Sequence, residues 1–253
     1  QFGLDYQKSK NNNNTSLSWH YFLDSYMNDY YQIKTNLPSS INIMDRIKKL
    51  RQAEEASLTR IHSHHVFQGL TRQMIFNQAK HLGPKLLKPN VLETLKSIKN
   101  KKDNLRIISI NWSKDWIRGI LNSCFLDHEE LSYDQIYCND FMYDKEGIAT
   151  GEIQPNILTS FDKKFIIDQE IKKESINNEK KIIYIGDSLG DLLPLVEADT
   201  GIVMGNNQSL LNSIQNDFHR TIINKTLPSI TNIPSIYQVD NWDQIKKSQI
   251  LFT

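Results

Sequence analysis

Lys181-Ile-Ile-Tyr-Ile-Gly-Asp187-Ser-Leu-Gly-Asp191 is the stretch that decides the fold. Its apolar start shows none of the alternation of a half-solvated strand, so it predicts a strand over 181–185 that is buried on both faces. Gly186 lets the chain turn at the carboxyl end of that strand. Asp187 and Asp191 follow, four residues apart, where a helix over Asp191–Glu197 is predicted to begin. Open parallel sheets bind ligands beyond the carboxyl ends of their strands, where these two carboxylates would lie. Hard oxygen ligands there suit Mg²⁺, which keeps several waters and takes only one or two carboxylates from a protein. The same residues also suit a plain helix start, with Asp187 as N-cap and Asp191 favouring the helix dipole. The stretch alone leaves both readings open.

Working outward, strands keep alternating with helices. A strand Leu105–Ile110 precedes a helix from Lys114 to about Ser123, a helix spans about Phe161–Lys173, and Thr200–Met204 makes another strand. Such alternation predicts an α/β fold with a mainly parallel, doubly wound sheet. Gln135–Tyr143 and Ile148–Ile153 read as a hairpin joined through Asp144-Lys145-Glu146-Gly147. Ser109, near the end of its strand, is followed by Ile110, Asn111, Trp112 and Ser113. A hydroxyl and backbone N–H groups beyond a strand make a ready anion cradle, and Ser113 can cap the next helix at the same time. Lys163 stands early in a helix, where a cation opposes the dipole. Neutralising a phosphate and nearby carboxylates would account for it; surface solubility is the plainer account.

The first third differs. Asn11–Asn14 read as a solvated loop. Trp19, Phe22, Leu23, Tyr26, Met27 and Tyr30 then fall on one stripe of a helix. Pro38 breaks the chain, and a second amphipathic helix begins at Ile43, Ile47 and Leu50 and continues through Ala53, Ala56 and Ile61. Thr71 caps a third helix, which Gly83-Pro84 is expected to stop. The chain thus divides into an all-helical 1–84 and an α/β unit over 85–253. His62, His64 and His65 could hold a metal, but a histidine cluster at a helix end is more often solvated and favoured by the dipole.

Lys plus Arg number 30 against 29 Asp plus Glu, a net charge of +1 that excludes a sequence-independent nucleic-acid binder. With 39% apolar residues the chain can build a core and is not intrinsically disordered. Two cysteines, Cys124 and Cys138, are too few for a disulfide framework and lack zinc-ligand spacing, so two reduced thiols are expected. No apolar run approaches the roughly 18 residues of a membrane helix, and no signal peptide shows, so a cytoplasmic location is expected.

The order Ile-Ile-Ser109, Lys163, then Gly186-Asp187-Ser-Leu-Gly-Asp191 resembles motifs two, three and four of the haloacid dehalogenase-like (HAD) phosphatases. The hairpin with Asn139 and Thr150-Gly151-Glu152 is also similar to that family's. A closer resemblance, over about 105–205, is to the thiamine monophosphate phosphatase domain that accompanies thiaminase-II-like domains. It is carried by Ile108-Ser109-Ile-Asn-Trp112-Ser-Lys-Asp115-Trp-Ile-Arg118 and by Tyr184 through Gly205. The resemblance implies a Rossmann-like core over 85–253, a helical cap over 1–84 and a Mg²⁺-dependent phosphomonoesterase acting through an aspartyl-phosphate on a small phosphorylated metabolite. Ser109, with the Ile110 and Asn111 backbone, would bind the phosphoryl group, and Lys163 would neutralise it. Asp187 would bind Mg²⁺ and Asp191 support its shell. Trp112, beside Ser109, is a candidate for stacking on a thiazolium or pyrimidine, the alternative being that it packs under the cap. Asn139 is a candidate polar contact to substrate.

One part of the family pattern is missing. Its nucleophile and general acid come from Asp-x-Asp at the end of the first, central strand, and no Asp-x-Asp occurs in residues 1–253. Asp5 follows no apolar strand and does not substitute. The chain opens on Gln1 instead of Met, and the expectation is that the motif lies upstream; a catalytically inactive relative is the alternative. Without that strand the sheet would be split down its middle.

Overall fold

A computed structural model describes residues 18–98, 104–122, 131–172, 181–224, 227–228 and 234–251. Asp5, the Asn11–Asn14 run and Cys124 lie outside them. Three amphipathic helices come first: α1 (Trp19–Asn36), α2 (Ile43–Ser63) and α3 (Arg72–Leu86). Asn42 caps α2 by accepting from the Asp45 N–H, and Thr71 caps α3 by accepting from Met74.

Gly83-Pro84 does not stop α3, which runs on to Leu86. Pro84 lies in the last turn, and the Leu87 N–H still reaches the Gly83 carbonyl. Gly83 is there for packing. A Cβ on it would lie 2.6 Å from the Ile120 carbonyl oxygen of α5 (Lys114–Leu121), and one on Gly119 would lie 2.5 Å from the Ala79 Cβ. Two glycines, one on each helix, let α3 and α5 meet backbone to backbone.

After α4 (Val91–Lys96), two short parallel strands pair, β1 (Ile107–Ile108) with β2 (Ile136–Tyr137). The expected hairpin strand Gln135–Tyr143 is therefore two strands. Cys138 and Asn139 are both buried and break it, after which β3 (Asp140–Tyr143) pairs antiparallel with β4 (Ala149–Gln154). Helix α6 (Ser160–Ile166) continues as a π-turn to Ile171. A second parallel sheet holds β5 (Ile183–Gly186), β6 (Thr200–Met204), β7 (Ile222–Ile223) and β8 (Ser235–Val239) in the order β5-β6-β8-β7. Helices α7 (Leu192–Glu197), α8 (Gln208–Asn212) and α9 (Trp242–Ser248) complete the unit.

The second sheet is packed on both faces. Val203 and Ile236 meet Leu192, Leu195, Leu210 and, from α2, Ile43 and Ile47. Ile202, Met204 and Tyr237 meet Ile245 and Ile250 on the other side. All of β6 is buried, as a strand covered on both faces and both edges should be. The expectation of full burial fails for β5: Ile183, Tyr184 and Ile185 are half-buried. Its position explains this, because β5 has no partner on its outer edge among the described residues. The Ile107 and Ile108 side chains of β1 are half-buried in the same way. Among the described residues the parallel strands thus form two sheets, of two and four strands, and β1 and β5 each have one edge without a partner.

Candidate active site

Beyond β5 the chain makes a 3₁₀ turn, Leu189–Asp191, whose geometry centres on Asp191. That carboxylate is only 6% exposed and accepts five hydrogen bonds. Lys163 Nζ donates to Oδ1 at 2.7 Å and the Tyr184 hydroxyl at 2.8 Å. Oδ2 accepts from the Asp187 and Ser188 N–H groups and the Ser188 hydroxyl. Burial by itself would raise the Asp191 carboxyl, but Lys163 beside it and the donated hydrogen bonds hold it below the usual carboxylate range. Gly186 is required here, since a Cβ would sit 2.4 Å from that of Asp191. Burial, then the charge of Asp191, pushes the Tyr184 hydroxyl far up, so it stays a donor.

Asp187 is unlike its neighbour. Its side chain is 57% exposed, 3.7 Å from Lys88 Nζ, and open at the strand end. With all of Asp191's lone pairs engaged, Asp187 is the carboxylate of this turn with room for a hard cation. Among the described residues no group of three acidic, His or Cys side chains could hold a metal. The donor set therefore fits Mg²⁺ as one protein ligand with a supporting shell, and further ligands would have to come from phosphate, water or another carboxylate. The same count removes the histidines: His64 Nδ1 is engaged with the Arg60 carbonyl at 2.8 Å, and His62 Nδ1 is 3.9 Å from Glu152.

Lys163 is buried, 6% exposed, so it is no solubility residue. Its helix start is held by Asp162, whose Oδ2 accepts from the Leu158 and Thr159 N–H groups. Asp162 also receives Arg51 of α2 at 3.0 Å, which joins the helical segment to the turn bearing Lys163.

At the end of β1, the Ser109 hydroxyl accepts the Asn111 N–H at 3.1 Å, and Asn111 Oδ1 accepts the Ser113 N–H. Ser113 in turn caps α5 through Trp116 N–H. The loop is thus wound tightly, and the N–H groups of Ile110 and Trp112 are left without a partner among the described residues. Ser109 shares no hydrogen bond with Lys163, Asp187 or Asp191. A buried residue links the two loops instead. Asn139, expected as a substrate contact, is 0% exposed and fully satisfied: its amide donates to the Ile110 and Ile157 carbonyls, and its oxygen accepts from Asn156 and Ile157. It holds the Ser109 loop against the segment leading to α6, and no lone pair or N–H remains for a ligand.

Asp115 and Arg118 are likewise scaffolding. Asp115 is buried and takes Arg72 of α3 at 3.0 Å together with the Tyr133 hydroxyl, and Arg118 stacks over Tyr133. Cys138 is a free buried thiol, pushed up to about 12 by burial and by Asp140, and so unreactive.

Trp112 does pack under the helical segment, and it also faces space. Its ring lies 6.3 Å from Trp19 and 5.9 Å from Phe67. Together with Ser109, Asn111 and Tyr26 these rings line a cavity of about 480 Å³. Glu54 reaches the same cavity, hydrogen-bonded by the Tyr26 hydroxyl at 2.6 Å. The sequence carries a signal for Glu54 in its periodicity, outside any motif. Ile47, Leu50, Glu54, Ser57 and Ile61 share one helical stripe, and a carboxylate on a buried stripe asks for a reason.

No family model matches the chain. It is 30% identical over 171 residues to the mitochondrial bifunctional TH2 protein of Arabidopsis thaliana, an alignment covering 65% of the chain and 26% of that protein. The chain therefore spans about a quarter of that relative's length. It is 23% identical to a CTO1 family protein of Schizosaccharomyces pombe, with 91% of this chain and 88% of that protein covered. Among solved structures, cytosolic 5'-nucleotidase IIIB bound to cytidine superposes with a TM-score of 0.50 at 12% identity, covering 94% of this chain and 76% of that one. Apo phosphoserine phosphatase gives a TM-score of 0.41 at 16% identity, covering 76% and 82%. The superposition on the nucleotidase and the strand order show a Rossmann-like α/β fold.

Proposed function

We propose that the chain supplies most of the active site of a Mg²⁺-dependent phosphomonoesterase for a small phosphorylated metabolite, with thiamine monophosphate as substrate. The observation that carries this reading is the buried Lys163–Asp191 pair beside an exposed Asp187 at the carboxyl end of β5. A buried cation whose one hydrogen-bond partner among the described residues is a carboxylate retains two N–H donors for an anion arriving at the same strand end. The Ser109 hydroxyl and the Ile110 and Trp112 N–H groups would take the phosphoryl oxygens from the β1 side. Mg²⁺ held at Asp187 would offset charge on those oxygens.

The nucleophile in this reading is an aspartate on a further parallel strand between β1 and β5. Its carboxylate attacks phosphorus as the ester P–O bond breaks, the second aspartate of the Asp-x-Asp gives the leaving oxygen its proton so that it departs as an alcohol, and water hydrolyses the aspartyl-phosphate to phosphate and the free carboxylate. Among the described residues, β1 and β5 each offer it an unpaired edge. The segment 1–84 would then act as the cap that excludes water. Thiamine monophosphate is supported by the resemblance of residues 105–205 to the thiamine monophosphate phosphatase domain and by the aromatic cavity beside Ser109. A second reading, a HAD-like binding protein without turnover, is favoured by the missing Asp-x-Asp.

Phosphate release by the natural full-length product from thiamine monophosphate and a panel of phosphorylated sugars and rings separates them. Turnover that needs Mg²⁺, prefers thiamine monophosphate and falls at least 100-fold in Asp187→Asn is expected. Undiminished turnover in that variant would remove the assigned metal site. Absence of turnover with every substrate would leave the binding protein.

A further inference from the structure

The cavity beside Ser109 has an odd composition. Its walls are mostly rings, Trp19, Phe22, Tyr26, Phe67 and Trp112, yet it contains a carboxylate, Glu54. Glu54 is deep enough that burial raises its carboxyl, although the Tyr26 hydrogen bond works in the other direction. No lysine, arginine or histidine pairs with it among the described residues; its hydrogen-bond partner is the Tyr26 hydroxyl. A half-buried carboxylate without a cation still loses part of its hydration, and a neutral hydroxyl offsets only part of that cost. Rings around it stabilise a positive charge through their faces, and a delocalised, weakly hydrated cation loses least on entering such a site.

We propose that Glu54, oriented by Tyr26, is a specificity-determining residue that selects substrates whose organic part is a flat, positively charged ring, carried in the aromatic cavity while the phosphate lies at the Ser109 loop. This rests on the phosphatase reading for the phosphate end and deepens it. The charge balance of such a ligand matches what the walls offer: an anion near unpaired N–H groups, a cation near an unpaired carboxylate. Neutral phosphosugars would leave Glu54 uncompensated and the rings poorly covered, so the cavity discriminates against them. Tyr26 fixes the carboxylate by holding Oε1, and Oε2 has no hydrogen-bond partner among the described residues.

The test uses phosphate-free probes, so that it does not depend on turnover. Binding of thiamine is compared with that of its neutral deaza analogue, in which carbon replaces the thiazolium nitrogen, by calorimetry on the natural full-length product. Wild type should bind thiamine about tenfold tighter than the analogue through this cavity. Glu54→Gln keeps an acceptor for Tyr26 and removes the charge. It should abolish that preference while leaving affinity for the neutral analogue within about twofold. Tyr26→Phe, which frees Glu54 without discharging it, should keep a preference of the same sign. Equal binding of both probes by wild type, or an unchanged preference in Glu54→Gln, would overturn the proposal. Phosphate release is measured separately. Cation preference without turnover supports Glu54 and counts against the phosphatase; turnover with no preference lost in Glu54→Gln does the reverse.

Discussion

At the scale of the residue, Asp187 and Asp191 share one turn and differ in surroundings. The spacing leaves Asp191 open as a metal carboxylate or as a helix-start residue; in three dimensions its lone pairs are taken up by Lys163, Tyr184 and the turn. Nothing in the sequence marks which of two carboxylates will be buried; that follows from Gly186, which lets Asp191 fold back against the strand end. Breaking one side of a buried ion pair leaves the other charge uncompensated, so Asp191→Asn should cost about 3–5 kcal/mol at pH 7 by chemical denaturation. The pH dependence has a definite sign. A carboxyl held below its usual range in the folded state takes up protons on unfolding, so its contribution is full above about pH 4 and is lost as pH falls through the folded value. The stability gap between wild type and Asp191→Asn should therefore narrow only below about pH 4. A gap that closes between pH 5 and 7 would mean that Lys163 does not hold the carboxyl down.

Elements were legible where one periodicity ran unbroken and obscure where a single residue carried two duties. The stripes of α1 and α2 and the apolar run of β6 stand where the sequence places them. The hairpin strand failed because Asn139, a polar residue in an apolar run, is the buried knot that ends β2 and starts β3. Gly83 was misread because a glycine before proline has the signature of a helix end, while here it serves close approach to α5. The partner glycine makes this testable. In Gly119→Ala the new Cβ would lie 2.5 Å from both the Ala79 Cβ and the Phe76 carbonyl oxygen, so the helices must part. Helix propensity favours alanine by about 1 kcal/mol, and overpacking opposes it by about 1–3 kcal/mol. With the contact on the backbone side, a net loss is expected as a lowered melting temperature, and Ala79→Gly in the same chain should recover part of it. A rise in melting temperature for Gly119→Ala would show that α3 and α5 do not meet through these glycines.

For the whole molecule, the two sheets matter most. Parallel strands of α/β proteins are covered on both faces and both edges except at the margins of the sheet, and an exposed edge is a template for another strand. Here β1 and β5, which carry Ser109 and lead into Asp187, are both edge strands, and their apolar side chains are half-buried while those of β6 are fully buried. In the proposed mechanism the nucleophile-bearing strand would pair with these edges, which ties the missing Asp-x-Asp to a single structural element. Hydrogen exchange can read this without any substrate. In the 253-residue chain alone, the amides of Ile183–Gly186 that point away from β6 should exchange like exposed amides, while those of Thr200–Met204 stay protected. In the natural full-length product, a strand inserted beside β5 would bring both sets to comparable protection. Fast exchange on the outer side of β5 in that full-length product would mean that no strand is added there, and the aspartyl-phosphate mechanism would lose the element that has to deliver its nucleophile.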